Sequence, residues 1–298
     1  MQDSDCRLSI SGWLIEGAKR VIRRYAGLKR YEIRVDDRHW AYLEGGHGEV
    51  IFLVHGYGME KDGWDLFANS LTPSYRVIIP DLPGFGETAT IESETYGVPE
   101  QVRRLDRFVN ALGVSAFHLA GISMGGAIAA YYAGEHPRKV KSLLLMAPAG
   151  VASRLPSAAW RTYREEGKAI LLYRSVEEFD RLLDAIFYKK PFLPRSVKKV
   201  FAQRGSLNFE LREKILRDLE RAGIEILENR LSRVVAPTLL FWGEKDQILH
   251  VSGAEKFKRE MANCRSLILR QCGHVVFFDQ REAVETAYRA FLQSRSQG

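Results

Sequence analysis

The sequence predicts an α/β fold, a mostly parallel, doubly wound sheet with an inserted helical segment. Three observations predict it. Short apolar runs recur that do not alternate with polar residues, as strands covered on both faces do not. Amphipathic helical patterns separate them, the arrangement that gives parallel crossovers. The alternation breaks once, between Val151 and Asn229.

"GWLIEGAKRVIRRYAGL" puts Leu14, Ala18, Val21, Ile22, Tyr25 and Leu28 on one helical face. Lys19, Arg20, Arg23 and Arg24 lie mostly off it. Two readings are open for this helix: it lies in a membrane interface, or it is an amphipathic helix docked on the domain. "YEIRV" and "HWAYLE" then read as an antiparallel hairpin. "VIFLV" (50–54), "YRVIIP" (75–80), "AFHLA" (116–120), "SLLLM" (142–146), "TLLFW" (238–242) and "SLILR" (266–270) read as buried strands. "PEQVRRLDRFVNALG" aligns Val102, Leu105, Phe108, Val109 and Leu112, with Pro99 as a start signal and Gly113 as a stop. "REAVETAYRAFLQS" repeats the pattern at the end of the chain.

The predicted organisation is an N-terminal arm over residues 1–30 and a core over 31–150 and 230–298. Residues 151–229 form a helical cap (lid) over the sheet's carboxyl edge, where α/β sheets place their ligands.

Composition narrows the function classes. The chain has 298 residues, 46% of them hydrophobic, enough for one large domain with an insertion. No apolar run reaches the ~20 residues a membrane helix needs. "MQDSDCRLSI" lacks the basic start and apolar stretch of a signal peptide. Cys6, Cys264 and Cys272 give no disulfide framework. The last two would lie ~25 Å apart on an extended strand, so a reducing, cytoplasmic location is expected. The net charge is +7; residues 1–30 carry 7 basic and 3 acidic side chains, and residues 151–229 carry 16 and 12. No dense basic run or recognisable module points to nucleic acid. An anionic membrane surface is the better candidate partner, met peripherally through the N-terminal helix and the cap.

Chemistry concentrates at Gly121-Ile122-Ser123-Met124-Gly125, a G-x-S-x-G between a strand and a helix. A strand turning straight into a helix needs small neighbours, and the turn exposes the Ser123 hydroxyl. Serine needs a base to become a nucleophile. Of the 7 histidines, His118 lies within a strand, and His39, His47 and His136 sit in polar surroundings. His250 lacks a supporting pattern. His274, in a Gly-containing loop after the last strand, is the candidate base. Asp246, just past "TLLFW", is the candidate carboxylate that fixes its tautomer. Glu244 is a local decoy, Asp279 falls too late, and Asp81 reads as a turn residue. An oxyanion hole needs two preorganised N–H donors. Met124 N–H follows the nucleophile, and Tyr57 N–H lies in "HGYG", where Gly56 allows close approach; His55 reads as a turn-stabilising residue. No His pair or Cys cluster has metal-ligand spacing, and no cofactor is expected.

Together these residues resemble the α/β-hydrolase superfamily from about Tyr31 onward. The chain is most similar to the monoacylglycerol lipase branch that includes membrane-associated α/β-hydrolase-domain lipases. "HGYGMEKDGW", "GISMGG", "MAPAG", "WGEKDQILHVSGA" and "ANCRSLILRQCGH" carry that likeness. The resemblance implies an α/β-hydrolase fold with Ser123, Asp246 and His274 as triad and Tyr57 and Met124 as oxyanion donors. Those relatives have an N-terminal membrane helix, where this chain has only the basic amphipathic segment. The implied activity is serine carboxylester hydrolysis of monoacylglycerols and related short- to medium-chain esters. A C–C bond hydrolase of meta-cleavage products would use the same triad. It would also need an arginine for the substrate carboxylate, and Arg154, Arg161 and Arg164 could reach. A hydrolase fold kept as a small-molecule receptor is a third reading. Ser at position 123 disfavours an Asp-nucleophile dehalogenase or epoxide hydrolase.

Overall fold

The apolar runs become strands whose burial explains their composition. In the computed structural model, which describes residues 10–91 and 93–296, every residue of β5 (Phe117–Ile122) and β7 (Thr238–Gly243) is buried. Cys6 and the start of the 1–30 arm lie outside the described residues. The other strands are β1 (Leu28–Val35), β2 (Arg38–Gly45), β3 (Val50–Val54), β4 (Arg76–Pro80), β6 (Val140–Met146) and β8 (Cys264–Leu269). They form one eight-stranded sheet in the order β1-β2-β4-β3-β5-β6-β7-β8. β1 and β2 pair antiparallel, as does β2 with β4; every pairing from β4 to β8 is parallel. The loops that follow β3, β5, β7 and β8 therefore leave the sheet at one edge.

Helices cover both faces. A short α2 (Asp65–Ala68) follows β3. α3 (Val98–Ala111) buries Val102, Leu105, Phe108 and Val109, and α4 (Met124–Glu135) is apolar and buried almost throughout. They pack on one face. On the other, α11 (Arg281–Ser296) inserts Val284, Tyr288 and Leu292 beside α10 (Val276–Asp279). Burial of each such side chain stabilises by ~1.5–3 kcal/mol. α9 (Gly253–Glu260) sits between β7 and β8.

Between β6 and β7 the chain builds four helices: α5 (Ala158–Glu166), α6 (Val176–Ile186), α7 (Arg195–Leu207) and α8 (Phe209–Ala222). Their starts are locally encoded. Ser157 Oγ accepts from Trp160 N–H, and Ser175 and Glu178 form a capping box. Tyr173, Phe179 and Leu183 give the segment a small core of its own.

The N-terminal α1 (Ile10–Tyr25) is docked, but with its polarity reversed. A docked amphipathic helix ordinarily turns its apolar stripe inward. Here Trp13, Leu14, Val21 and Tyr25 are 67–69% exposed. The charged face is the one held: Lys19 bonds Glu60, Arg23 Nη2 donates to Asp62 Oδ2 (2.8 Å), and Arg204 of α7 donates to Glu16 (2.9 Å). Among the described residues, no helix is long and apolar enough to cross a membrane.

Candidate active site

Ser123 sits between β5 and α4 with φ 55° and ψ −120°, a left-handed conformation that a non-glycine residue adopts at a cost. Small neighbours make the turn possible. A Cβ on Gly121 would lie 2.2 Å from Gly125 O, and one on Gly125 would lie 2.3 Å from Val54 O. The backbone at Ser123 is pinned from both sides: its N–H donates to Met146 O, and its carbonyl accepts from Ala127 and Ala149 N–H, all at 3.0 Å. Its side chain is half-buried and lines a cavity of about 540 Å³. The structure gives the hydroxyl no hydrogen bond, to His274 or to any other described residue.

Asp246 and His274 are brought into contact. Both are buried, and Asp246 Oδ2 lies 2.8 Å from His274 Nδ1. The other carboxylate oxygen accepts from Ile248 N–H (2.8 Å) and Leu249 N–H (3.0 Å), which fixes the acid's orientation. A carboxylate in that position selects the tautomer with hydrogen on Nδ1 and leaves Nε2 as the basic nitrogen. Glu244, the nearby alternative, is exposed and pairs with Lys245.

The loop after β3 packs on Ser123. A Cβ at Gly56 would meet Ile122 O and Ser123 Cβ at 3.3 Å. Tyr57 follows it and lines the cavity, its phenol donating to Arg212 O of α8 (2.6 Å). Burial raises that phenol's pKa. Met124 opens α4, where no side chain caps the first-turn N–H groups. His55 ties the loop to the end of β4: Leu82 N–H donates to its Nε2 (3.0 Å), and its Nδ1–H donates to Gly56 O (2.8 Å). Burial holds this imidazole well below its ordinary range, at about 4. Asp81 lies beneath, accepting from Lys61 Nζ and Lys61 N–H, both at 2.7 Å, and from Glu87 N–H at 2.8 Å.

Some supporting residues escaped the sequence reading. Ile186 O, at the end of α6, accepts from both His274 N–H (2.9 Å) and Val275 N–H (3.1 Å). Asp279 is the second clamp: its Oδ2 accepts from Gly273 N–H and Tyr188 N–H, both at 2.8 Å. Backbone acceptors leave no sequence signature, but a carboxylate a few residues past the His loop does. His250 stands in the cavity wall with Nδ1 2.9 Å from Ser252 Oγ. His118 stays in the core, its Nδ1 2.8 Å from Ser142 Oγ.

The cavity is walled largely by the β6–β7 insertion, with Leu155, Trp160, Tyr163, Leu171, Leu219 and Ile224 among its lining. Its only charged lining residue, among the described residues, is Glu220. Arg154, Arg161 and Arg164 do not line it; Arg161 instead donates to Pro156 O (2.9 Å). The arrangement can hold an apolar chain beside a serine at a sheet edge. It offers backbone donors and an Asp–His pair at that same edge.

Known proteins place this architecture. A family model described as the α/β hydrolase fold matches residues 49–280. Lipase 1 of Psychrobacter immobilis is 36% identical over 84% of this chain and 79% of its own length. The human monoacylglycerol lipase ABHD6 is 28% identical, over 91% of this chain and 84% of its own. The crystal structure of a membrane phospholipase A, described as a bacterial virulence factor, superposes with a TM-score of 0.94 at 36% identity, covering 99% of this chain and 95% of that one. The meta-cleavage product hydrolase CumD of Pseudomonas fluorescens IP01 shares the fold alone, at a TM-score of 0.79 and 22% identity, over 89% of this chain and 97% of its own. The serine turn, the loops at one edge and these likenesses converge: the chain belongs to the α/β-hydrolase-fold family, in its monoacylglycerol lipase-like branch, and is a hydrolase.

Proposed function

We propose that the chain is a serine carboxylester hydrolase that takes monoacylglycerols and related short- to medium-chain esters. The observation that carries the reading is an apolar cavity with Ser123 in its wall, at the sheet edge where Asp246 and His274 meet at 2.8 Å. Ser123 Oγ attacks the ester carbonyl, and its proton passes to His274 Nε2 as substrate entry draws the two together. Asp246 stabilises the imidazolium. Tyr57 and Met124 N–H hold the oxyanion, and the alcohol leaves with the proton from His274. Water, activated by the same base, releases the acid from Ser123.

Residues 151–229 act as the cap, and their apolar side chains receive the acyl chain. Peripheral contact with a membrane belongs to the same reading, since the esters concerned partition into lipid. The absence of arginine and lysine from the cavity lining, among the described residues, favours a neutral ester over the carboxylate-bearing substrate of a C–C hydrolase. Intact protein should be labelled by a fluorophosphonate and hydrolyse monoacylglycerol. Ser123→Ala should lose both while keeping its melting temperature. Ester turnover by Ser123→Ala, or faster turnover of a dienoate than of any ester, would end the proposal.

A further inference from the structure

We infer that Lys19 and Arg23 of α1 are positioning residues for the Tyr57 N–H, acting through the acids of the loop after β3. The inference rests on the reading of that N–H as an oxyanion donor. It starts from a charge imbalance in the loop. Between His55 and Asp65 the chain carries three acids, Glu60, Asp62 and Asp65, and one lysine, Lys61. Lys61 is wholly buried, and its Nζ is committed inward, to Asp81 Oδ2 and Glu87 Oε1, both at 2.7 Å. Asp65 is buried as well, with an Oδ1 that has no partner among the described residues. The loop's counter-charge comes from a helix 39 to 41 positions earlier. Lys19 bonds Glu60 and stands 3.6 Å from Asp62. Arg23 grips Asp62 with two donors, Nε on Oδ1 and Nη2 on Oδ2. Lys19 and Arg23 keep 15% and 11% of their side-chain surface and Asp62 keeps 6%, so water screens these charges weakly. The helix is held again near its start, where Arg204 of α7 donates to Glu16 (2.9 Å), so the two cations have a fixed seat.

What the cations protect is the setting of Lys61. Its Nζ lies 3.7 Å from Asp62 Oδ2. Without Lys19 and Arg23, Asp62 is a buried charge whose remaining ion-pair partner is Lys61, and such a charge draws strongly on what is left. Pulling Lys61 toward Asp62 loosens Asp81, and from there the contacts run to the site without a break. Asp81 leads into Leu82, whose N–H donates to His55 Nε2 (3.0 Å). His55 Nδ1–H donates to Gly56 O (2.8 Å), which also accepts from Met59 N–H (3.2 Å). Gly56 C=O and Tyr57 N–H belong to one planar peptide group, so the bonds that hold the oxygen set the direction in which the N–H points. A donor turned away from the oxyanion costs rate rather than binding, since the oxyanion exists only on the way through the transition state.

Full-length protein is assayed on p-nitrophenyl butyrate, with thermal melting in parallel. Lys19→Gln with Arg23→Gln should lower kcat about tenfold or more, with KM within about twofold of wild type. The Ki of an alkylboronic acid, whose tetrahedral adduct on Ser123 puts an oxygen where the oxyanion forms, should rise by the same factor. The Ki of a long-chain alcohol, which fills the cavity with no such oxygen, should not move. Adding Asp62→Asn removes the charge that draws on Lys61 and should restore kcat to within about threefold of wild type. Arg20→Gln, which takes an exposed cation from the same helix, is the control and should match wild type in kcat. If the paired variant does not fold, Arg23→Lys, which keeps the charge and loses the two-pronged grip, carries the test and should lower kcat about threefold. A folded variant with wild-type kcat and boronate Ki would overturn the proposal. So would a loss of kcat that Asp62→Asn leaves in place, or one matched by an equal rise in KM. A wild type that turns over no ester would overturn the hydrolase reading itself, a result the first assay returns before any variant is made.

Discussion

Gly243→Ala tests whether the distance between two loops sets the rate. Gly243 ends β7, three residues before Asp246, and it passes under the loop that carries His274. A Cβ at this position would lie 2.0 Å from Gly273 O and 2.4 Å from Cys272 O. Both contacts are with backbone, so no side chain can rotate away. The loops are also laced together, with Lys245 N–H donating to Cys272 O and Glu244 N–H to Leu269 O, each at 2.9 Å. Reaching a tolerable contact requires a separation of roughly 1 Å. That opening would stretch the 2.8 Å contact between Asp246 and His274 beyond hydrogen-bond range. Misplacement on this scale costs about 10²-fold in rate. The clash itself should lower stability by about 1–3 kcal/mol. The assay is steady-state hydrolysis of p-nitrophenyl butyrate with thermal melting in parallel. We expect kcat to fall about 10²-fold with KM nearly unchanged, because the cavity wall is built elsewhere. Gly17→Ala, where an added Cβ meets nothing within 4 Å, is the control and should match wild type in kcat. A kcat for Gly243→Ala within threefold of wild type, in a folded protein, would refute the reasoning.

Further expectations concern charge. His55 is neutral and buried, and burial lowers its pKa from 6.5 to about 4. The unfolded chain therefore binds a proton between these values that the folded chain refuses. Stability should fall as pH drops through this window, by ~1.4 kcal/mol per pH unit and ~3 kcal/mol in all. His55→Gln should flatten that acid limb in denaturant titrations; an unchanged limb would remove His55 as its cause. Asp279→Ala frees the N–H groups of Gly273 and Tyr188 and should cut kcat about tenfold with a lower melting temperature, as a positioning role requires; Asp279→Asn, which keeps an acceptor, should recover part of it. Glu220→Gln should raise kcat/KM for an ester bearing a free carboxylate by up to about tenfold and leave neutral esters unchanged. Equal response of both substrates would show that the Glu220 charge does not select.

The strands were readable because burial on both faces demands unbroken apolar runs, as "VIFLV" and "TLLFW" show. The tight turn at Ser123 was readable because crossing backbones at Gly121 and Gly125 exclude any Cβ. The direction of α1 was not. A helical wheel says which residues share a face, but not which face the domain takes. The residues that decide it, Glu60, Asp62 and Arg204, lie 39 to 188 positions away. The grip of Ile186 O on the His274 loop was equally hidden, because any residue at that position offers the same carbonyl.

That grip ties one part of the insertion to the loop that carries His274. The end of α6 shares two hydrogen bonds with the backbone at His274 and Val275, so withdrawing it would unseat the imidazole that we propose as the base. On the other side of the insertion, α5 leaves Trp160 and Tyr163 of the cavity wall partly in solvent. The solvent-facing wall of the cavity and the clamp on the His274 loop thus belong to different stretches of the insertion.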